Sequence, residues 1–177
     1  MTKLISSVLL CLLSAAAHAH IVLDKQSAPA GSYYRGALKV GHGCSGSPVT
    51  QVIVMIPEGV QGAKPMPKPG WKIDIQRATL TKPYVSHGRT VTEDVLEISW
   101  TARTAEDYLP DAYYDEFVVS AKLPATAGKL YWKTSQICVQ GRVDWHEIPA
   151  GDAKLKTPAA MLEVTAVPET AGHHHAH

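Results

Sequence analysis

The residues best suited to chemistry stand at Ala17-His18-Ala19-His20. Ala17 and Ala19 fit the small-x-small pattern that signal peptidase accepts, and Lys3 with the apolar run Ile5 to Leu13 precedes them. A cut after Ala19 makes His20 the first residue of the mature chain. An N-terminal histidine offers two nitrogens on one residue, the α-amine and the imidazole. Together they can close a chelate ring on one metal ion. Nitrogen-rich tetragonal sites favour Cu(II). The free α-amine has an ordinary pKa of about 7.7–8.0, so it can lose its proton near neutrality and act as a ligand.

Other candidates lie downstream. His42 sits in a glycine-flanked loop, Gly41-His42-Gly43-Cys44. It reads as a second nitrogen ligand, a supporting group or an ordinary loop histidine. Asp24 follows His20 closely, yet a four-residue offset along a strand is about 13 Å. Asp115 and Glu116 enter a strand between aromatics, and adjacent strand residues face opposite ways, so at most one of them faces a buried site. Trp145 and Glu147 share one strand face and His146 takes the other. A tryptophan beside a copper ion shields it from water and adds a cation–π contact. The alternative for Trp145, as for Trp71, Trp100 and Trp132, is core packing. The chain ends in His173-His174-His175-Ala176-His177, a tract suited to weak metal collection.

Removing 19 of the 177 residues leaves 158, one domain with a sizeable core. Lys3 leaves with the signal, so the 17 basic residues become 16 against 16 acidic ones. That balance gives no electrostatic case for nucleic acid or an anionic membrane surface. No later apolar run approaches a membrane span. Cys11 is lost with the signal. Cys44 and Cys138 remain, and an exported protein with one such pair reads as disulfide-bonded; a thiolate copper pair is the rival. Only Met55, Met66 and Met161 remain, which favours a nitrogen and oxygen Cu(II) site over a thioether Cu(I) carrier. No GxSxG, HExxH, P-loop or dinucleotide motif is present.

The elements that must position these residues read as strands. Residues 21–23, 33–40, 49–56, 71–75, 95–100, 116–123, 130–139 and 143–148 carry β-branched or alternating apolar patterns. Residues 159–167 read as a final strand or helix. Residues 62–70, with Pro65, Pro67 and Pro69, read as an irregular connection. Residues 79–92 read as polar and irregular, with a hairpin around Ser86-His87-Gly88. About nine short strands between Gly and Pro turns predict a single antiparallel β-sandwich of the immunoglobulin or cupredoxin kind. The expected layout is a signal peptide over 1–19, the sandwich over 20–168 and a flexible tail over 169–177.

Several motifs together resemble the YcnI-like copper-binding family of exported bacterial β-sandwich domains. They are His20-Ile21-Val22-Leu23, Ala28-Pro29-Ala30-Gly31-Ser32, Gly41-His42-Gly43-Cys44, Ile56-Pro57-Glu58-Gly59-Val60, Lys64 to Trp71, Tyr114-Asp115-Glu116-Phe117 and Trp145-His146-Glu147-Ile148-Pro149. The resemblance spans residues 20–150. It implies a Cu(II) site on the mature N-terminal histidine, a one-histidine brace with an acidic ligand and a nearby tryptophan. By position these are His20 and Trp145. The glutamate that many relatives carry before the Ala-Pro-Gly turn is Ser27 here. Asp24, Asp115, Glu116, Glu147 or the nitrogen of His42 is left to complete the site. The expected function is a periplasmic copper chaperone, trafficking or resistance factor, working with other periplasmic or membrane copper-handling proteins. The rivals are a histidine-brace copper oxygenase, with His42, His87 or His146 as its second histidine, and a metal-free adhesion or assembly module.

Overall fold

The computed structural model describes residues 20–151 and 154–167. The expected signal peptide and histidine-rich tail lie outside them. Among the described residues there are twelve strands: β1 (Val22–Leu23), β2 (Ser27–Pro29), β3 (Tyr33–Val40), β4 (Val49–Met55), β5 (Gln61–Pro65), β6 (Trp71–Ser86), β7 (Arg89–Ala102), β8 (Asp115–Lys122), β9 (Gly128–Trp132), β10 (Thr134–Cys138), β11 (Arg142–Trp145) and β12 (Ala160–Thr165). One 3₁₀ turn, Ala105–Asp107, interrupts the β7–β8 loop. Among the described residues no helix is long and apolar enough to cross a membrane.

The strands form three sheets, ordered β1-β3-β8-β5, β11-β10-β4-β7-β6 and β2-β12-β9. Pairing is antiparallel except between β2 and β12. Alternation explains the layers. Leu38 on β3 and Phe117 on β8 are register partners, and both are fully buried. Val52 and Val54 on β4 and Ile98 and Trp100 on β7 present the facing surface, also fully buried. The two large sheets meet where Phe117 packs edge-on against Trp71 at 5.1 Å and Trp100 at 5.6 Å. The expected β-sandwich is therefore the observed fold, and Trp71, Trp100, Trp132 and Trp145 are all core residues.

Three local readings need correction. The proline-rich segment begins with a regular strand, because β5 lies at a sheet edge, where the N–H that proline lacks is not required for the ladder. The segment 79–92 continues β6 and β7 into a projecting hairpin. Most side chains there are exposed on both faces, so no apolar alternation marks the strands. Ser86 pairs with Arg89 around His87 (φ 47°) and Gly88 (φ 73°), a two-residue turn with both centres in the left-handed region. The stretch 130–139 is two strands. It breaks at Lys133 and passes from one sheet to another.

Asp94 clasps the hairpin to β5. Its buried carboxylate accepts from Gly62 N–H (2.8 Å), Tyr84 O–H (2.6 Å) and Val95 N–H (2.7 Å). Burial pushes this carboxyl up, but the three hydrogen bonds outweigh it and hold its pKa below the ordinary aspartate value. Burial and the bond to Asp94 push the Tyr84 hydroxyl up to about 12.

Candidate metal centre

His20 immediately precedes Ile21 and β1. Strand β1 runs antiparallel to the end of β3, through Val22 opposite Lys39 and Leu23 opposite Leu38. This pairing brings the chain at His20 beside the loop that leaves β3, which carries His42. Both rings converge on Trp145 of β11. The His20 ring lies 5.7 Å from the Trp145 ring at 70°, and the His42 ring 6.1 Å away at 69°. Trp145 is buried, His42 half-buried and His20 exposed. On another side His20 lines a cleft of about 170 Å³ with Gln26, Pro158 and Met161.

The loop of residues 41–48 is held firmly. Cys44 is disulfide-bonded to Cys138 of β10. Cys44 and Ser47 exchange two backbone hydrogen bonds of 3.1 Å around Ser45 and Gly46, both at positive φ. Gly43 fits only as glycine, because an added Cβ would lie 1.9 Å from the Ser47 carbonyl oxygen. Gly43 N–H donates to Asp111 Oδ1 at 2.8 Å. His42 Nδ1 lies 2.6 Å from the Gly43 carbonyl oxygen. A carbonyl only accepts, so the ring donates this bond through Nδ1–H, and Nε2 is its other nitrogen.

Gln136 of β10, only 1% exposed, ties the groups together. Its Oε1 accepts from Trp145 Nε1–H at 3.2 Å, and its Nε2 donates to the His42 carbonyl oxygen. Neither Gln136 nor Asp111 stood out in the sequence. Gln136 follows Lys133, Thr134 and Ser135, so its polarity does not set it apart from its neighbours in the sequence. Nothing marked Asp111.

The acids are placed differently. Asp24 accepts from Ala37 N–H (3.1 Å) and faces Arg35 at 3.6 Å. Arg35 also approaches Glu116 at 3.9 Å, and Lys68 Nζ contacts Asp115 at 2.5 Å. Asp115 and Glu116 line a separate cleft of about 510 Å³ with Arg35, Lys68 and Trp100. Glu147 accepts from Lys156 N–H and Thr157 N–H, both at 2.7 Å, and so closes its own loop. His146 Nε2 contacts Ser135 Oγ at 3.1 Å. His87 is at the hairpin tip. Among the described residues no group of three His, Cys, Asp or Glu side chains gathers around one point. The structure thus unites His20, His42 and Trp145, and leaves Asp24, Asp115, Glu116 and Glu147 engaged elsewhere.

A family profile described as "Domain of unknown function (DUF1775)" matches residues 20–164. The chain belongs to this family. As a DUF1775 domain it is 24% identical over 162 residues to "Copper-binding protein CutI" of Bacillus subtilis (strain 168), covering 91% of this chain and 70% of that protein. A solved protein from Nocardia farcinica, described as having an immunoglobulin-like fold, superposes with a TM-score of 0.65 at 21% identity, covering 82% of this chain and 97% of the other. That likeness establishes the immunoglobulin-like sandwich for this DUF1775 domain.

Two imidazoles beside a buried indole suit a borderline metal. Imidazole is a good ligand for copper, nickel and zinc, and an indole beside such a cation can add a cation–π contact. The donor set therefore fits Cu(II) once the His20 amine is free.

Proposed function

We propose that this DUF1775 domain binds Cu(II) as cargo in the periplasm, as a chaperone, trafficking or resistance factor and not as a catalyst. The convergence of His20 and His42 on Trp145 carries the reading. Cleavage after Ala19 frees the His20 amine, so His20 supplies the amine and imidazole, and His42 supplies a further imidazole. Trp145 covers the metal. The name of the Bacillus subtilis relative supports copper as the metal. Other periplasmic or membrane copper-handling proteins are the expected partners, and the histidine-rich tail raises copper concentration nearby. The test is one added residue before His20. Amide formation removes the amine as a ligand, so Cu(II) affinity should fall at least tenfold; unchanged affinity would refute the chelate.

One observation favours a second reading. His42 supplies the second ring that a two-histidine brace requires, which is the arrangement of a copper oxygenase. Copper-dependent hydrogen peroxide production with ascorbate, lost in His42→Ala, would support that reading over transport.

A further inference from the structure

We infer that Gln136 is a positioning residue for this centre, fixing the indole of Trp145 and the backbone of His42 with one side chain. The inference rests on the copper reading above and names a residue that acts through the two groups it holds.

The first support is physical cost. Gln136 occupies a core position of β10, between register partners Val52 on β4 and Val143 on β11. A primary amide buried there is unfavourable unless it is paired, and an apolar side chain of similar volume would pack without that penalty. The sheet does not need the amide, because the β10 ladder uses backbone groups alone. What the amide contributes is a bond at each end. Indole has one donor, Nε1–H, and directing it at Gln136 Oε1 sets the rotation of the ring that both histidines face.

The second support lies at the other end. The His42 carbonyl and the Gly43 N–H belong to one peptide unit. Gln136 Nε2 holds its oxygen, and Asp111 Oδ1 holds its N–H. The peptide plane that carries His42 is therefore pinned from both sides. Supporting groups of this kind orient a ligand without touching the metal, and removing one typically lowers metal affinity about 10–100-fold.

The test uses the mature chain from His20 through His177, titrated with Cu(II) and read by Trp fluorescence quenching and electron paramagnetic resonance. Gln136→Met keeps the volume and removes both hydrogen bonds; Gln136→Leu is the second variant. The expected result is a folded variant whose Kd is raised about 10–100-fold, with altered g and copper hyperfine values. A folded variant whose Kd stays within twofold of the parent, with an unchanged spectrum, would overturn the inference. The unaltered chain supplies a further check without metal. Its Trp145 indole N–H should be strongly protected from hydrogen exchange, and rapid exchange would overturn the inference even if neither variant folds. If the unaltered chain itself shows no Trp-quenching Cu(II) site, the copper reading fails and this inference with it. A failure confined to the variants leaves the copper reading intact.

Discussion

Consider removing the disulfide with Cys44→Ala/Cys138→Ala. The bridge joins residues 94 apart in sequence. Closing a loop of that length removes about 16 cal/mol/K of chain entropy from the unfolded state, or about 4.7 kcal/mol at 25 °C. Little native structure should be lost with it. Val139 N–H still donates to Pro48 (3.0 Å), Cys138 N–H to Gly141 (3.1 Å) and Gly43 N–H to Asp111. The effect therefore resides in the unfolded chain, and about 4.7 kcal/mol is its ceiling. In a domain of this size each kcal/mol moves Tm by about 2–4 °C, so a fall of about 9–19 °C is expected at that ceiling. Urea unfolding should show a lower midpoint and a larger m-value, because the uncrosslinked chain exposes more surface. Cu(II) affinity of the folded double variant should fall less than in Gln136→Met, because Gln136 and Asp111 still hold the His42 peptide. A stability loss below about 1 kcal/mol would refute the loop-entropy argument. Loss of Cu(II) binding in a fully folded double variant would refute the assignment of the clamp to Gln136 and Asp111.

Two other outcomes follow from named contacts. Gly43→Ala places a Cβ 1.9 Å from Ser47 O, so the loop must shift; a stability loss of about 1–3 kcal/mol is expected, with weakened Cu(II) binding, both read on one purified variant. A carboxyl held below its unfolded pKa stabilises the fold above that value and loses the contribution as pH falls through the folded pKa, so the Asp94 clasp should weaken progressively below about pH 4. Asp94→Asn should flatten this acid limb in unfolding measurements from pH 2 to 7, and identical limbs in both proteins would contradict the clasp.

Much of the architecture is legible in the sequence where one face of a strand is buried. Strands β3, β4 and the core half of β7 announce themselves through alternation. The projecting half of the β6–β7 hairpin does not, because neither face meets a core, and β5 is hidden by prolines that only an edge can tolerate. Of the three rings that converge, His20 stands out in the sequence as the residue after an expected cleavage site, and Trp145 through the motifs of the family resemblance. His42 is visible as a loop histidine, but its approach to Trp145 depends on how β1 pairs with β3. The contacts of the acids are hidden for the same reason. Arg35 reaches Asp24 and Glu116 across strand register, and Lys68 reaches Asp115 from a separate connection, pairings that no sequence spacing reveals. Gln136 is concealed because a buried amide within a strand looks like any polar residue until its two partners are seen.

The central claim is that the mature N-terminus and the ring of His20 hold copper beside Trp145. Its most direct test is a Cu(II) titration of the chain beginning at His20, read by electron paramagnetic resonance and compared with His20→Ala. A tight one-to-one site with nitrogen hyperfine structure, quenching Trp145 and lost in the variant, is the predicted result. Weak binding that His20→Ala leaves unchanged would contradict the account and place the metal elsewhere in the chain.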